Sequence, residues 1–200
     1  MTQTNPIGVL ALQGAFREHR RMLERLGYAS REVRLPEHLE GISGLIIPGG
    51  ESTTIGKLLV EWKLLEPVRR LGEKGLPMWG TCAGAIVLSQ GVEERGHRVE
   101  QPILGLLPIT AVRNAFGRQR ESFEADIPAA GVEGTFRAVF IRAPLMVPRD
   151  PAVEVLARVD GQAVFVRYKH LLATSFHPEL TDDPRIHRLF LSLVEASPKD

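Results

Sequence analysis

Short apolar runs in the first half of the chain each end at a Gly- or Pro-containing turn and give way to helical spacing. Ile7 to Leu12 stops at Gln13-Gly14, and Phe16, His19, Met22/Leu23 and Leu26 then recur at helical intervals up to Gly27, a candidate C-cap. Val33 to Leu35 is stopped by Pro36. Gly44-Leu45-Ile46-Ile47 breaks at Pro48-Gly49-Gly50, and a helical pattern follows from Thr53 to Glu73, in two pieces separated near 63–67. Pro77-Met78-Trp79-Gly80 leads directly into Cys82, with Ala83 to Ser89 helical beyond it. Runs this short, with no polar alternation, are strands buried on both faces. Their alternation with helices predicts a parallel sheet covered on both sides.

The second half changes character. Ile109 to Arg113, Ser122 to Ile127, Phe136 to Ile141 and Val153 to Val159 are strand-like. Asp160-Gly161 is a hairpin signal that returns the chain through Ala163 to Tyr168. Leu171 to Phe176 is a further strand, and Asp183-Pro184 reads as N-cap and first residue of a last helix. That helix presents Ile186, Leu189, Phe190, Leu193 and Val194 to the core. Without repeats or a low-complexity linker, residues 1–200 are expected to form one α/β domain with an antiparallel-rich C-terminal half. Val92 to Pro102 is unusually charged and specifies no element.

A formal net charge of +1 gives no electrostatic reason to expect nucleic acid or a membrane surface as partner. No run approaches the roughly 18 apolar residues of a spanning helix, and Met1–Pro6 lacks the basic flank and apolar core of a secretory signal. The single cysteine cannot form an internal disulfide, which suits a reducing cytoplasm.

That cysteine lies in Gly80-Thr81-Cys82-Ala83-Gly84, between a strand and a helix. G-x-C-x-G at such a junction lifts one side chain above the end of a sheet, and the glycines allow a sharp turn and close approach of a substrate. A free thiol is only slightly ionised near neutral pH, so a working cysteine needs a base. Ser175-Phe176-His177-Pro178-Glu179 supplies one: Glu179 can fix the tautomer of His177 and leave its other ring nitrogen for Cys82. Alone, His177 would read equally well as a surface turn residue. His19, His38, His97, His170 and His187 show no ligand spacing, and a metal site is not expected.

In Pro48-Gly49-Gly50-Glu51-Ser52-Thr53-Thr54, Ser52 or Thr53 can serve as an ordinary N-cap and Glu51 as a dipole-compatible acid. Two glycines ask for more. The amides of Gly49 and Gly50, with that of Ala83, are candidates for an oxyanion hole. No phosphate-binding spacing is present. Arg113-Asn114-Ala115-Phe116-Gly117-Arg118 offers groups suited to an amino-acid carboxylate and a lid, or simply a solvated turn. The basic helix face Arg17, Arg20, Arg21, Arg25 is interleaved with Glu18 and Glu24 and reads as solvated.

These motifs, together with Gly8-Val9-Leu10-Ala11-Leu12-Gln13-Gly14-Ala15 and Phe140-Ile141-Arg142-Ala143-Pro144, resemble the class I, triad-type glutamine amidotransferases. More narrowly, they resemble the glutaminase subunits of pyridoxal 5'-phosphate synthase. The resemblance spans nearly the whole chain. It implies a three-layer, flavodoxin-like α/β fold with a mostly parallel central sheet, no cofactor, and hydrolysis of L-glutamine to glutamate and ammonia. By the same resemblance Cys82 is the nucleophile, His177 the base and acid, and Glu179 its orienting partner. Gly49, Gly50, Glu51, Arg113, Ile141 and Arg142 line the glutamine site. The ammonia would pass to a separate (β/α)8-barrel synthase subunit. Ala85 stands where a larger aliphatic residue is expected. Competing readings are a glutaminase serving another synthase, a stand-alone cysteine hydrolase or chaperone of related fold, and a catalytically silent glutamine-binding module.

Overall fold

The computed structural model describes residues 5–114 and 122–197. The first part alternates strand and helix: β1 (Ile7–Leu10), α1 (Phe16–Arg25), β2 (Ser30–Val33), β3 (Gly44–Ile47), α2 (Ser52–Glu61), α3 (Leu65–Glu73), β4 (Met78–Thr81) and α4 (Ala83–Leu88). Strands then dominate: β5 (Ser89–Glu94), β6 (His97–Arg98), β7 (Leu107–Arg113), β8 (Ser122–Ala129), β9 (Val132–Ile141), β10 (Leu145–Pro148), β11 (Glu154–Val159), β12 (Gln162–Tyr168) and β13 (Leu171–Thr174). Helix α5 (Arg185–Ala196) closes the described chain.

The main sheet runs β11-β12-β13-β4-β3-β1-β2. From β2 to β13 every pairing is parallel, and the β11–β12 hairpin adds an antiparallel edge. Strand order 2-1-3-4 followed by the last parallel strand is the flavodoxin-like doubly wound order. Asp160 and Gly161 both take positive φ (49° and 77°), as the predicted two-residue hairpin turn requires.

Alternation along each buried strand separates two cores. Leu45, Ile47, Met78, Leu171 and Ala173 face α2, α3 and α4, with Leu107, Ile109 and Met146 of a second sheet, β10-β7-β5-β6, packed beyond. Ile7, Val9, Ile46, Trp79 and Leu172 face α1 and α5, together with the β8–β9 hairpin. The result is helices and accessory strands on both faces of a parallel sheet. Among the described residues no helix is long and apolar enough to cross a membrane.

Several expectations shift by a residue or more. β1 ends at Leu10, and β2 precedes its predicted span because it pairs with β1 over Ser30–Val33. α5 begins at Arg185 with Pro184 in the N-cap position, one residue later than predicted, although the Asp183 carboxylate still accepts from the Arg185 amide at 3.0 Å. The charged stretch 92–102 contributes β6 and the end of β5, whose outward charges mask strand propensity. The predicted loop motif Arg113–Arg118 falls partly on 115–118, outside the described residues.

Candidate active site

The site is set by register. Thr81 at the end of β4 pairs with Thr174 at the end of β13, so both chains leave the sheet at one level. Cys82 follows immediately on one side and His177 three residues on at the other. These are the carboxyl ends of adjacent parallel strands, where open α/β sheets gather their sites.

Cys82 adopts φ 49° and ψ −104°, outside the regions an L side chain favours. Such a conformation costs about 1–3 kcal/mol and persists only when its surroundings impose it. Here its amide donates to the Thr174 carbonyl at 2.7 Å, and its carbonyl accepts from Ala85 and Ile86. The turn also needs glycine at 84, since a Cβ there would lie 1.9 Å from the Ile47 carbonyl oxygen. The thiol is nearly buried and lies 3.7 Å from the Ile141 carbonyl oxygen.

His177 is anchored by its backbone and its neighbour. Its amide donates to the Val139 carbonyl at 2.8 Å, and Phe176 is fully buried against Phe136, Phe140 and Phe165. Glu179 sits on a 3₁₀ turn over Pro178–Leu180, and its Oε1 lies 2.8 Å from His177 Nδ1. Glu179 occupies Nδ1 and leaves Nε2 for the Cys82 side chain, which acts on this imidazole electrostatically. Burial disfavours the imidazolium, but the Cys82 thiol and the hydrogen-bonded Glu179 carboxylate outweigh it, and the His177 pKa is pushed up to about 10. A protonated His177 is a ready acid for a leaving group.

The loops after β1 and β3 meet at the switch point of the sheet. Ala15 donates to the Gly49 carbonyl at 3.0 Å, and the Glu51 amide donates to Gln13 Oε1 at 2.8 Å. A Cβ on Gly49 would lie 2.4 Å from His177 Cε1 and 3.4 Å from Cys82 Cβ, so this glycine lets the loop press against the imidazole. Gly50 is exposed, and a Cβ there would meet Gln13. Ala83 opens α4, where helical geometry leaves an amide without an intrahelical acceptor.

Glu51, rather than Ser52 or Thr53, caps α2: its carboxylate accepts from the Thr53 and Thr54 amides at 3.1 and 2.6 Å. Burial works against its charge, yet these bonds hold the carboxyl below its ordinary range. Arg113 Nη2 approaches Glu51 Oε1 at 3.7 Å, and its Nη1 lies 3.5 Å from both Thr53 Oγ1 and Gln101 Oε1. Ile141, whose carbonyl meets the thiol, ends β9 and Arg142 follows it; both are exposed, and Arg142 has φ 44°. The structure therefore gathers Cys82, His177 and Glu179 tightly, and groups Glu51 with Arg113 at the rim.

Sequence reasoning assigned no role to Gln13, Thr81, Gln101 or His19. Gln13 carried a signal, as a polar residue at the carboxyl end of a buried strand. Gln101 carried none. His19 occupies the buried face of an otherwise charged helix, and its Nε2 lies 3.5 Å from Glu179 Oε2.

A thiol at a strained strand–helix turn, an imidazole and a buried carboxylate, set on a flavodoxin-order sheet, have the layout of the triad-type glutamine amidotransferases. Residues 9–196 match the SNO glutamine amidotransferase family. The pyridoxal 5'-phosphate synthase subunit PdxT of Pelotomaculum thermopropionicum is 58% identical over 187 residues, covering 92% of this chain and 93% of that protein. The subunit of the same name from Herpetosiphon aurantiacus is 58% identical over 191 residues, covering 94% and 99%. A crystal structure of a glutamine amidotransferase superposes with a TM-score of 0.88 at 54% identity, covering 95% of this chain and 99% of its own. The chain belongs to the SNO glutamine amidotransferase family.

Proposed function

We propose that this chain hydrolyses L-glutamine to L-glutamate and ammonia as the glutaminase subunit of a pyridoxal 5'-phosphate synthase. The observation that carries the reading is the buried Cys82–His177–Glu179 line at the ends of β4 and β13, in a chain so similar to PdxT subunits. The Cys82 thiolate attacks the side-chain carboxamide carbon, and the carbonyl oxygen takes up the negative charge. The amides of Ala83 and of Gly49 or Gly50 are its intended donors. As the tetrahedral species collapses, His177 gives its proton to the nitrogen, ammonia leaves, and a thioester to Cys82 remains. Water, deprotonated by His177, then attacks the thioester; glutamate departs and the thiolate is restored. Glu179 keeps the imidazole oriented throughout.

Glu51 and Arg113 suit the α-ammonium and α-carboxylate of the substrate, with Ile141 and Arg142 completing the rim. Residues 1–200 are read as one glutaminase domain that hands its ammonia, shielded from water, to a separate (β/α)8-barrel subunit. The dependence on a free thiol suits the cytoplasm.

The test is ammonia release from L-glutamine, by the chain alone and with a pyridoxal 5'-phosphate synthase barrel subunit. A rate that rises on mixing and falls by about 10³-fold or more in Cys82→Ala is expected, as for loss of a nucleophile. A rate indifferent to the barrel subunit would keep the chemistry and discard the partner. Glutamine binding with no turnover in either condition would favour the silent binding module.

A further inference from the structure

Two buried histidines stand behind the triad without a part in the chemistry above. His19 on α1 and His187 on α5 are both fully buried and are packed edge-on against Trp79. His19 Nδ1 lies 3.0 Å from His187 Nε2. On its other side, His19 Nε2 lies 3.3 Å from Thr81 Oγ1 and 3.5 Å from Glu179 Oε2. Glu179 Oε2 and His187 Nδ1 are buried and have no hydrogen-bond partner among the described residues.

The contact between the two rings holds one proton, which leaves two neutral arrangements. In the first, His187 Nε2–H donates to His19 Nδ1, and His19 Nε2–H is directed at Thr81 and Glu179. The only group then left over is the lone pair of His187 Nδ1. In the second, His19 Nδ1–H donates to His187 Nε2. A buried His187 Nδ1–H then lacks an acceptor, and the lone pair of His19 Nε2 faces an anionic oxygen. An unpaired buried donor costs about 1–3 kcal/mol, and repulsion from the carboxylate adds to it. The first arrangement is preferred on both counts.

Charging either ring is disfavoured. Burial holds both histidines below their ordinary range, His19 further through its neighbours His187 and His177. A neutral donor is what the site needs at this place. A cation beside Glu179 would compete with the imidazolium of His177 for the same carboxylate, whereas a neutral N–H steadies the second oxygen and leaves the charge available.

We propose that His19 is a positioning residue of the triad, its Nε2–H set by His187 and directed to the second carboxylate oxygen of Glu179. The 3.5 Å separation is longer than a formed hydrogen bond; such contacts commonly tighten only in the reacting complex. The role rests on the glutaminase reading given above, and the first of its tests does not.

In the full-length chain labelled with 15N-histidine, long-range proton–nitrogen correlation near neutral pH reads each ring's tautomer. The resonances are assigned by their loss in His19→Gln and His187→Gln. Both rings are expected as the Nε2–H form; an Nδ1–H form at either overturns the proposal whether or not the protein hydrolyses glutamine. In glutamine turnover, His19→Leu should lower kcat about 10- to 100-fold with KM little changed, the usual range for losing an outer-shell partner. His19→Gln, whose amide nitrogen reaches the position of Nε2, should recover most of that loss. His19→Asn, whose amide reaches only the Nδ1 position, should not. Wild-type kcat in His19→Leu, or equal rates in the Gln and Asn variants, would overturn it. The Gln and Asn pair keeps the comparison readable if the Leu variant fails to fold. Absence of glutaminase activity in the wild-type chain would instead count against the function, with the tautomer spectrum still deciding the geometry.

Discussion

The two sides of Cys82 are built on different physical terms. Behind it lie Glu179, His19, Thr81 and His187, nearly or fully buried, each fixed by an adjacent strand, a packed ring or a neighbouring imidazole. In front lie Glu51, Arg113 and Arg142, wholly or partly exposed, joined by contacts of 3.5 Å or more around Arg113. In the dry half a misplaced polar group has no water to fall back on, so geometry is enforced. At the rim, solvent screens each pair to about 0–1 kcal/mol, so the groups are free to turn toward a ligand. On the proposed function, positioning of the reacting groups falls to burial, and recognition to groups that can rearrange.

The sharpest way to break this division is to push the rim loop into the dry half. Gly49→Ala places a methyl 2.4 Å from His177 Cε1, and Glu179 restrains the ring from yielding. Displacement of a catalytic group by about 1 Å can cost 10²-fold; kcat should therefore fall on that scale, measured by steady-state ammonia release. A variant at wild-type kcat would mean that the imidazole is less firmly held than its burial implies.

A rim substitution should act more mildly and on a different constant. Arg113→Ala is expected to raise KM for glutamine about 3- to 10-fold with kcat nearly unchanged, as suits one partly exposed charge contact. A fall in kcat of the size expected for Gly49→Ala would place Arg113 with the positioning residues instead.

The last effect is on stability, and the two halves differ in its sign with pH. His177, raised to about 10, binds its proton more tightly in the folded chain. Its contribution is complete below about pH 6.5 and is lost as pH rises toward 10. His187, lowered to about 3, resists protonation when folded, so stability falls as pH drops from about 6.5 toward 3. Each limb has a slope of at most about 1.4 kcal/mol per pH unit per proton. Urea unfolding across this range should show His177→Gln flattening the alkaline limb and His187→Gln the acid one. The half-exposed rim carboxylate of Glu51 should add little to either.

Much of this arrangement was legible in the residue order because it is local. A cysteine flanked by Gly80 and Gly84 at a strand–helix junction marks a sharp turn that sets one thiol at the end of a sheet. His177-Pro178-Glu179 keeps imidazole and carboxylate two residues apart. The central parallel strands showed as short apolar runs, and β3 matches its predicted span, whereas the polar β2 (Ser30–Val33) was misplaced. β5 and β6 were missed because their polar and charged residues, partly exposed, leave no apolar signature. Assignment of the α2 cap to Ser52 or Thr53 failed because a longer carboxylate one residue earlier reached the same amides.

By itself the sequence determined which residues could do chemistry and which segments could form buried strands, because both depend on neighbours within a few positions. Only the tertiary structure decided that β4 and β13 lie side by side with Thr81 opposite Thr174, which brings a thiol and an imidazole together across 95 positions of chain. It alone also decided that the rings of His19 and His187, 168 positions apart, meet beside Glu179. Such contacts are fixed by how whole helices pack on a sheet, and the burial that gives them their force is a property of the assembled core.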